Sequence, residues 1–260
     1  MIHERPTLPI DLTAPSASHY CERISPDFWG EPLNAITSLF VVLPAIGGYA
    51  LLRRRGLLSP SVTLLIGLAS AIGVGSFLLH TFATTWAEIA DVIPIWTFVV
   101  VYGVLALRRF APARYNLPLA GAFSLTVFCS GVVLALGNPA GLAPQAMTAG
   151  LSGTVQYLPA TLMVAVVIWV VWKARHPSLL KLGIGIGLFA LALAFRSLDM
   201  PICDRMASGT HFMWHLTNCL VFWYLIQAYA IHGTGPHKRE RDAAPPQCPT
   251  PGQDWAGSRR

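Results

Sequence analysis

Charge is the scarcest feature of this sequence. Only 12% of the 260 residues are Asp, Glu, Lys or Arg, and only 12 residues are acidic, whereas a soluble domain carries about 25% charged residues. A folded body of this length cannot coat its outside with so few charges, which argues against a water-soluble globule. The 54% hydrophobic content also argues against disorder. We therefore expect most of the outside to face lipid.

A cleavable signal peptide is also missing. Residues 1–33 hold no apolar core of about 7–15 residues, so we expect an extracytoplasmic arm and a first helix that serves as the targeting element. The end of the chain, 233–260, has five prolines and no apolar periodicity, which predicts a disordered cytoplasmic tail. The membrane domain is then expected over 34–232.

Apolar windows long enough to cross a bilayer recur seven times. A hydrocarbon core of about 30 Å needs about 20 such residues, and charged, proline-rich or glycine-rich stretches bound each window. The predicted fold is an all-α membrane protein, a seven-transmembrane helix bundle. Its predicted spans are Ala35–Leu52, Ser61–His80, Ala90–Leu107, Leu117–Leu136, Val155–Trp172, Leu180–Phe195 and Thr210–Ile231.

Basic residues predict the orientation, because loops rich in Lys and Arg stay in the cytoplasm. The segment 81–89 has no Lys or Arg and 137–154 has no charge at all, while basic residues fill the alternate loops and the tail. The N-terminus is therefore expected outside and the C-terminus in the cytoplasm. The net charge of +6 is a topology signal, so no nucleic-acid partner is expected. Short loops without organelle signals favour a bacterial inner membrane. The basic residues concerned are Arg53, Arg54, Arg55, Arg108, Arg109, Arg114, Lys173, Arg175, Lys181, Lys238, Arg239 and Arg241.

Three histidines fall on the predicted outer side. His211 and His215 are spaced i,i+4 and share a helical face, and His80 closes the second span. Together they would supply the three protein ligands of a catalytic zinc site and leave a fourth position for water. A histidine at a helix end can equally be an interfacial residue, and an H-x-x-x-H pair alone is weakly specific. Their confinement to one side favours the metal site.

The few acidic residues of the helical body lie on the same side, at Glu88, Asp91, Asp199 and Asp204. Asp91 could be a helix N-cap, and such a role does not exclude a catalytic one. Ser76, one turn before His80, is either a small packing residue or a member of the site. Arg196 and Asp199, spaced i,i+3, are interpreted as a structural ion pair.

These motifs resemble the alkaline ceramidase family, within a superfamily of seven-helix membrane hydrolases that includes the adiponectin-receptor-like proteins. The resemblance covers about residues 18–231 and implies hydrolysis of the amide bond of ceramide. It implies that His80, His211 and His215 bind zinc, that Asp91 handles protons and that Ser76 steadies the oxyanion. The blocks that carry it are Tyr20-Cys21-Glu22, Trp29-Gly30-Glu31-Pro32-Leu33-Asn34, Gly73-Val74-Gly75-Ser76 through His80, Asp91 with Pro94, and Gly209 through His215.

The sequence departs from the family at its structural calcium site. The family's Asp and Asn correspond to His19 and Ile24, so only Glu22 and Glu31 remain. Two carboxylates make a poor calcium cage, and we expect Arg23 to supply positive charge in place of Ca²⁺. Two further departures, Val92-Ile93 before Pro94 and Glu88 in place of a Gln, bear on substrate preference more than on zinc.

Two of the five cysteines, Cys21 and Cys203, lie on the predicted outer side. An oxidising compartment permits a bond there, and the family has a matching pair, so we expect a disulfide; two free buried thiols are the alternative.

Three other functions stay open: hydrolysis of an ester or phosphoester lipid, a seven-helix receptor and a metal transporter. A retinal protein is disfavoured because it needs a Lys inside a span. A metal transporter is also disfavoured, because it would need polar groups along its whole transport path through the membrane.

Overall fold

The computed structural model describes residues 11–16, 19–110, 121, 124–125, 128–129, 154 and 156–231. Over these residues the fold is helical, with no β-strand and a single isolated bridge between Pro15 and Thr84. The helices are α1 (Pro32–Leu39), α2 (Val42–Arg54), α3 (Pro60–Phe82), α4 (Thr85–Phe110), α5 (Leu158–Lys173), α6 (Leu179–Leu198) and α7 (His211–Ile231).

Four segments are long and apolar enough to cross a membrane: Pro32–Arg54, Pro60–Phe82, Thr85–Phe110 and Leu179–Leu198. Helix α5 is apolar but shorter. These segments indicate a membrane protein. The predicted span Leu117–Leu136 falls almost wholly outside the described residues, as does the predicted tail 233–260. The count of seven spans and the orientation therefore stay predictions.

The first predicted span is two helices rather than one. Helix α1 ends at Leu39, and α2 begins at Val42. Before the break, the hydroxyls of Thr37 and Ser38 donate to the backbone carbonyls of Leu33 and Ala35, at 2.6 and 2.7 Å. Hydroxyls that compete for helical carbonyls in this way often bend or end a helix.

Helix α4 begins at Thr85, well before the predicted Ala90. The N-terminal arm explains the difference, because its carbonyls accept the first backbone N–H groups of the helix. Thr85 N donates to Ala14 O at 2.9 Å and Trp86 N to Leu12 O at 3.0 Å. Asp91 therefore lies in the second turn of α4, and its interpretation as an N-cap is wrong.

Helices α3 and α4 pack closely together at Gly75. A Cβ atom on this residue would lie 2.2 Å from the backbone oxygen of Ala90 and 3.0 Å from Cα of Asp91. The missing side chain thus brings Ser76, the next residue, beside the turn of α4 that carries Asp91. At its start α3 is capped by Ser59, whose hydroxyl accepts from Val62 N at 3.3 Å. It ends at Phe82, and the next residue, Ala83, adopts a left-handed conformation.

The principal hydrophobic core lies among α2, α3, α4, α5, α6 and α7. Its fully buried members include Trp96, Leu65 and Val171. The polar cluster described next lies at one end of this core, where α3 ends and α4 and α7 begin.

Candidate metal centre

Three buried imidazoles meet at one end of the bundle. His80 lies in the last turn of α3, His211 begins α7 and His215 follows one turn later; none is more than 5% exposed. One ligand nitrogen from each lies within 4.8 Å of the others, and Nε2 of His80 is 3.1 Å from Nε2 of His215. Three converging, buried imidazole nitrogens are a donor set that suits Zn²⁺. The residues present therefore fit a metal ion of this kind.

Glu31 orients His80. Its Oε2 lies 2.5 Å from Nδ1 of His80, which leaves Nε2 turned toward the other two histidines. Asn34 Nδ2 donates to the same carboxylate at 3.0 Å, and Arg23 forms an ion pair with it. Burial raises the pKa of Glu31, but the bonds from His80 and Asn34 and the charge of Arg23 together hold that pKa below its ordinary value. Metal-binding histidines commonly have such a carboxylate behind them.

Arg23 contacts Glu31 and the segment that carries His80. Besides its ion pair with Glu31, it donates from Nη2 to the carbonyl oxygen of His80 at 2.7 Å and from Nη1 to that of Ser25 at 3.3 Å. Gly30 leaves room for the guanidinium, since a Cβ there would lie 3.0 Å from Nη1 of Arg23 and 2.5 Å from Ser25 O. A protein cation therefore contacts both the carboxylate and the backbone of the His80 segment.

Glu22 serves a different purpose. Its two carboxylate oxygens accept the backbone N–H groups of Leu33 and Asn34, at 2.7 and 2.9 Å. These are free N–H groups at the start of α1, where negative charge is favourable. Burial raises the pKa of Glu22 above its ordinary value, although the two N–H bonds oppose this shift.

Asp199 positions the start of α7. Its Oδ1 accepts from Thr210 N at 2.8 Å and His211 N at 2.9 Å, and its Oδ2 accepts from Cys21 N at 3.0 Å. Gly209 permits this arrangement, because its φ is +59° and a Cβ would lie 2.1 Å from Asp199 Oδ1. Asp199 is thus a cap of the helix that carries His211 and His215. In the part of the chain that the structure describes, Arg196 and Asp199 do not form the predicted ion pair.

A bond joins the sulfur atoms of Cys21 and Cys203, with the Cα atoms 5.4 Å apart. The bond ties the N-terminal arm to the loop between α6 and α7. Tyr20, the neighbour of Cys21, lies against two of the histidines, its ring centroid 4.8 Å from that of His80 and 4.2 Å from that of His211. The arm thus covers the histidine cluster on the side away from the core.

A cavity of about 100 Å³ begins at the cluster and runs into the bundle. Ser76, Asp91, Arg196 and His215 line its polar end. Oδ1 of Asp91 is buried and has no hydrogen-bond partner among the described residues. The remaining wall is largely apolar and includes Phe98, Val99, Ala160, Val164, Ile186 and Leu225.

Sequence reasoning placed the three histidines, Ser76 and Asp91 together but missed what surrounds them. The sequence does not indicate that the carboxylate of Glu31 contacts His80, or that the carboxylate of Glu22 caps α1. Tyr20 lies in one of the family motifs, but nothing in the sequence predicts its contacts with His80 and His211. The roles of Ser76, Asp91 and the histidines stay predictions, because proximity alone does not assign them.

Fold and site together define a class: a helical membrane protein with a buried three-histidine cluster at one end of its bundle. The family model named Ceramidase matches residues 13–245, most of the chain, and the protein belongs to this family. Membership implies a hydrolase that acts on amide bonds, with a lipid such as ceramide as substrate. The comparison with curated proteins gives no match.

Proposed function

We propose that this protein is a zinc-dependent membrane amidohydrolase that cleaves the N-acyl bond of ceramide, releasing a sphingoid base and a fatty acid. One observation supports this above all: three buried imidazoles converge, and one of them, His215, lines an otherwise largely apolar cavity together with Ser76 and Asp91. An amphiphile with its amide at that polar end and an acyl chain in the cavity would match both parts.

His80, His211 and His215 would hold the zinc ion. When bound, zinc polarises a carbonyl oxygen and makes a water molecule a good nucleophile near neutral pH. Glu31 fixes the ring of His80, and Asp199 fixes the backbone of His211, so both ligands are held before substrate arrives. This preorganisation is what a metal site needs from its surroundings.

Asp91 would accept the proton that the attacking water loses and deliver it to the amide nitrogen as the carbon–nitrogen bond breaks. Its unpartnered Oδ1 is a free acceptor for that proton. The Ser76 hydroxyl would donate to the carbonyl oxygen as negative charge develops there. Water and amide are consumed, and amine and carboxylic acid are formed.

The predicted topology places this chemistry at the outer leaflet. The ends of α3 and α6 and the starts of α4 and α7 meet there, and the basic loops lie at the opposite ends. A lipid amide at headgroup depth would then reach the site from the membrane.

Metal analysis and ceramide turnover in detergent test the proposal. We expect one zinc per chain, turnover that is lost with the metal and recovered when zinc is restored, and release of fatty acid and sphingoid base in equal amounts. Zinc-loaded protein that leaves ceramides of every chain length intact would contradict the ceramidase assignment. Turnover of an ester or phosphoester lipid in the same assay would then favour the second hydrolase reading.

Glu31→Gln is expected to weaken zinc binding. The substitution removes the negative charge behind His80, and loss of such a partner typically costs about 10–100-fold in metal affinity. Competition with a chromophoric zinc chelator measures the effect. Asp204→Asn is the matched control, because Asp204 is an exposed carboxylate in the α6–α7 loop; equal affinities for the two variants would mean that Glu31 does not support the site.

Purified protein is expected to hold no stoichiometric calcium. Arg23 already places a positive charge against Glu31, and Glu22 is used by the start of α1. Elemental analysis after equilibration with millimolar calcium and removal of free ion measures this. One calcium per chain would contradict the role given to Arg23.

A further inference from the structure

The end of the bundle opposite the metal centre carries only positive charge among the described residues. It is formed by the α2–α3 and α5–α6 loops, the adjoining helix turns and the last turn of α4. Every acidic residue of the described ranges lies at the other end, in the arm, in the first two turns of α4 or around the α6–α7 loop. The basic residues at the opposite end are Arg53, Arg54, Arg55, Arg108, Arg109, Lys173, Arg175 and Lys181.

These cations have no carboxylate partner in the described part of the chain. Both ion pairs found there involve Glu31, at the metal centre. The segments that follow α4 and α7 add further positive charge, because 111–155 has Arg114 as its single charged residue and 233–260 holds five basic residues against three acidic ones. The charge at this end is therefore balanced from outside the protein.

A cavity of about 560 Å³ opens among these charges, at the turn between α5 and α6. Its described lining consists of Trp172, Lys173, Arg175, His176 and Leu179. Lys173 and Arg175 are exposed, so their side chains can reach an anion held between them. Ammonium and guanidinium groups are the side chains that bind phosphate oxygens. The lining thus suits a phosphate group.

Local contacts give this turn a defined shape. His176 N donates to Val171 O at 3.1 Å, and Arg175 has a φ of +48°, so the chain leaves α5 in a tight turn. Nδ1 of His176 lies 2.7 Å from Oγ of Ser178 and accepts from Ser178 N at 3.2 Å. The ring of His176 also lies 4.8 Å from that of Phe110, the last residue of α4. The cavity is therefore formed by a turn that is fixed on both sides.

Exposed apolar side chains beside the cavity identify the source of the phosphate as a lipid. Trp172 is 57% exposed, and Trp169, one turn earlier on the same face of α5, is 48% exposed. Leu180, next to the lining residue Leu179, is 73% exposed. Tryptophan at the end of a membrane helix is typical of the boundary between hydrocarbon and headgroups. An anion in the cavity would therefore lie at headgroup depth, with acyl chains along these side chains.

We propose that the cavity between α5 and α6 binds the headgroup of an anionic phospholipid, with Lys173 and Arg175 on its phosphate and Trp172 against the start of its acyl chains. Basic pockets between membrane helices bind lipid headgroups by this chemistry. In the predicted topology the site faces the cytoplasmic leaflet. It is separate from the metal centre and does not depend on the proposed hydrolase function. A lipid bound there stabilises the folded protein, because it joins the ends of α5 and α6.

Native mass spectrometry of the full-length protein in detergent measures the binding of single lipids. Phosphatidylglycerol and phosphatidylcholine with identical palmitoyl and oleoyl chains form the matched pair. We expect wild type to bind one phosphatidylglycerol at least about tenfold more tightly than phosphatidylcholine. The double variant Lys173→Gln/Arg175→Gln should lose about tenfold or more of that affinity, because each basic residue beside an anionic lipid contributes about fivefold. Lys173→Arg/Arg175→Lys, which keeps both charges, should stay within about threefold of wild type.

Arg53→Gln/Arg54→Gln is the matched control. It removes the same charge from exposed residues at the same end of the bundle, but these residues do not line the cavity. Its affinity for phosphatidylglycerol should stay within about threefold of wild type. Thermal unfolding in detergent checks that all variants fold, and in nanodiscs phosphatidylglycerol should raise the unfolding temperature of wild type and of this control but not of Lys173→Gln/Arg175→Gln.

Three results would overturn the inference. Equal binding of the two phospholipids by wild type would mean that the cavity does not select an anion. Equal losses of affinity in the two glutamine double variants would mean that the basic end attracts anionic lipid diffusely and has no site between α5 and α6. Displacement of phosphatidylglycerol by low millimolar glycerol 3-phosphate would assign the cavity to a soluble phosphate ester instead of a lipid.

Discussion

Replacing His215 with alanine is expected to remove zinc and ceramide turnover together. His215 is the member of the histidine cluster that lines the cavity. It is only 5% exposed, and its Nε2 lies 3.1 Å from Nε2 of His80. Two imidazoles would remain, too few for the three-ligand set of a catalytic zinc site. Loss of a ligand should exceed the 10–100-fold cost of losing a supporting residue, so we expect zinc affinity to fall by more than about a hundredfold. Elemental analysis and fatty-acid release measure the two effects on the same sample.

His19→Ala is the matched control for this experiment. His19 is an exposed histidine of the N-terminal arm, so its removal changes histidine content without touching the cluster. Zinc content and turnover should stay at the wild-type level. If His215→Ala kept one zinc per chain and full turnover, the three-histidine site would be the wrong metal centre. Unfolding of the metal-free proteins, followed by circular dichroism, checks that both variants retain the helical fold.

The sequence predicted the histidine cluster because two regularities combine. The helical period places His211 and His215 on one face, and a bundle of antiparallel helices returns His80 to the same end. The structure brings the three nitrogens within 4.8 Å. Family motifs added Ser76 and Asp91, which line the cavity beside them.

The supporting residues were harder to predict because their partners lie far away in the chain. Asp199 stands three residues after Arg196, a spacing typical of a helical ion pair. Its actual partners are backbone N–H groups of Cys21, Thr210 and His211, which come into reach only when the arm and the α6–α7 loop fold over the end of the bundle. No local pattern carries that information.

The same arm explains the error at α4. The apolar windows of the sequence predict a third span that begins at Ala90 and leave 81–89 as a loop. Backbone carbonyls of residues 12 and 14 supply acceptors for the first N–H groups, and the helix gains an extra turn at its start. That turn places Asp91 inside the helix, where its carboxylate faces the cavity instead of capping a terminus.

Gly75→Ala is expected to destabilise the protein and to reduce turnover by more than the addition of a single methyl group would suggest. The added methyl would lie 2.2 Å from the carbonyl oxygen of Ala90, a backbone atom that cannot rotate away. Helices α3 and α4 must therefore separate, and overpacking of this kind costs about 1–3 kcal/mol. The same movement would draw Ser76 away from Asp91, so the oxyanion donor and the proton acceptor would no longer meet one amide.

Gly67→Ala separates this effect from the general consequence of adding a methyl group to α3. Gly67 lies in the same helix on its exposed face, and a Cβ there would meet nothing within 4 Å. Alanine favours the helix over glycine by about 0.5–1 kcal/mol, so Gly67→Ala should unfold at the wild-type temperature or slightly above it and keep full turnover. Thermal unfolding in detergent and kcat for ceramide are measured for both variants. Equal unfolding temperatures and equal turnover would contradict the close approach of α3 and α4, since a methyl group at Gly75 has no place in a bundle packed at this distance.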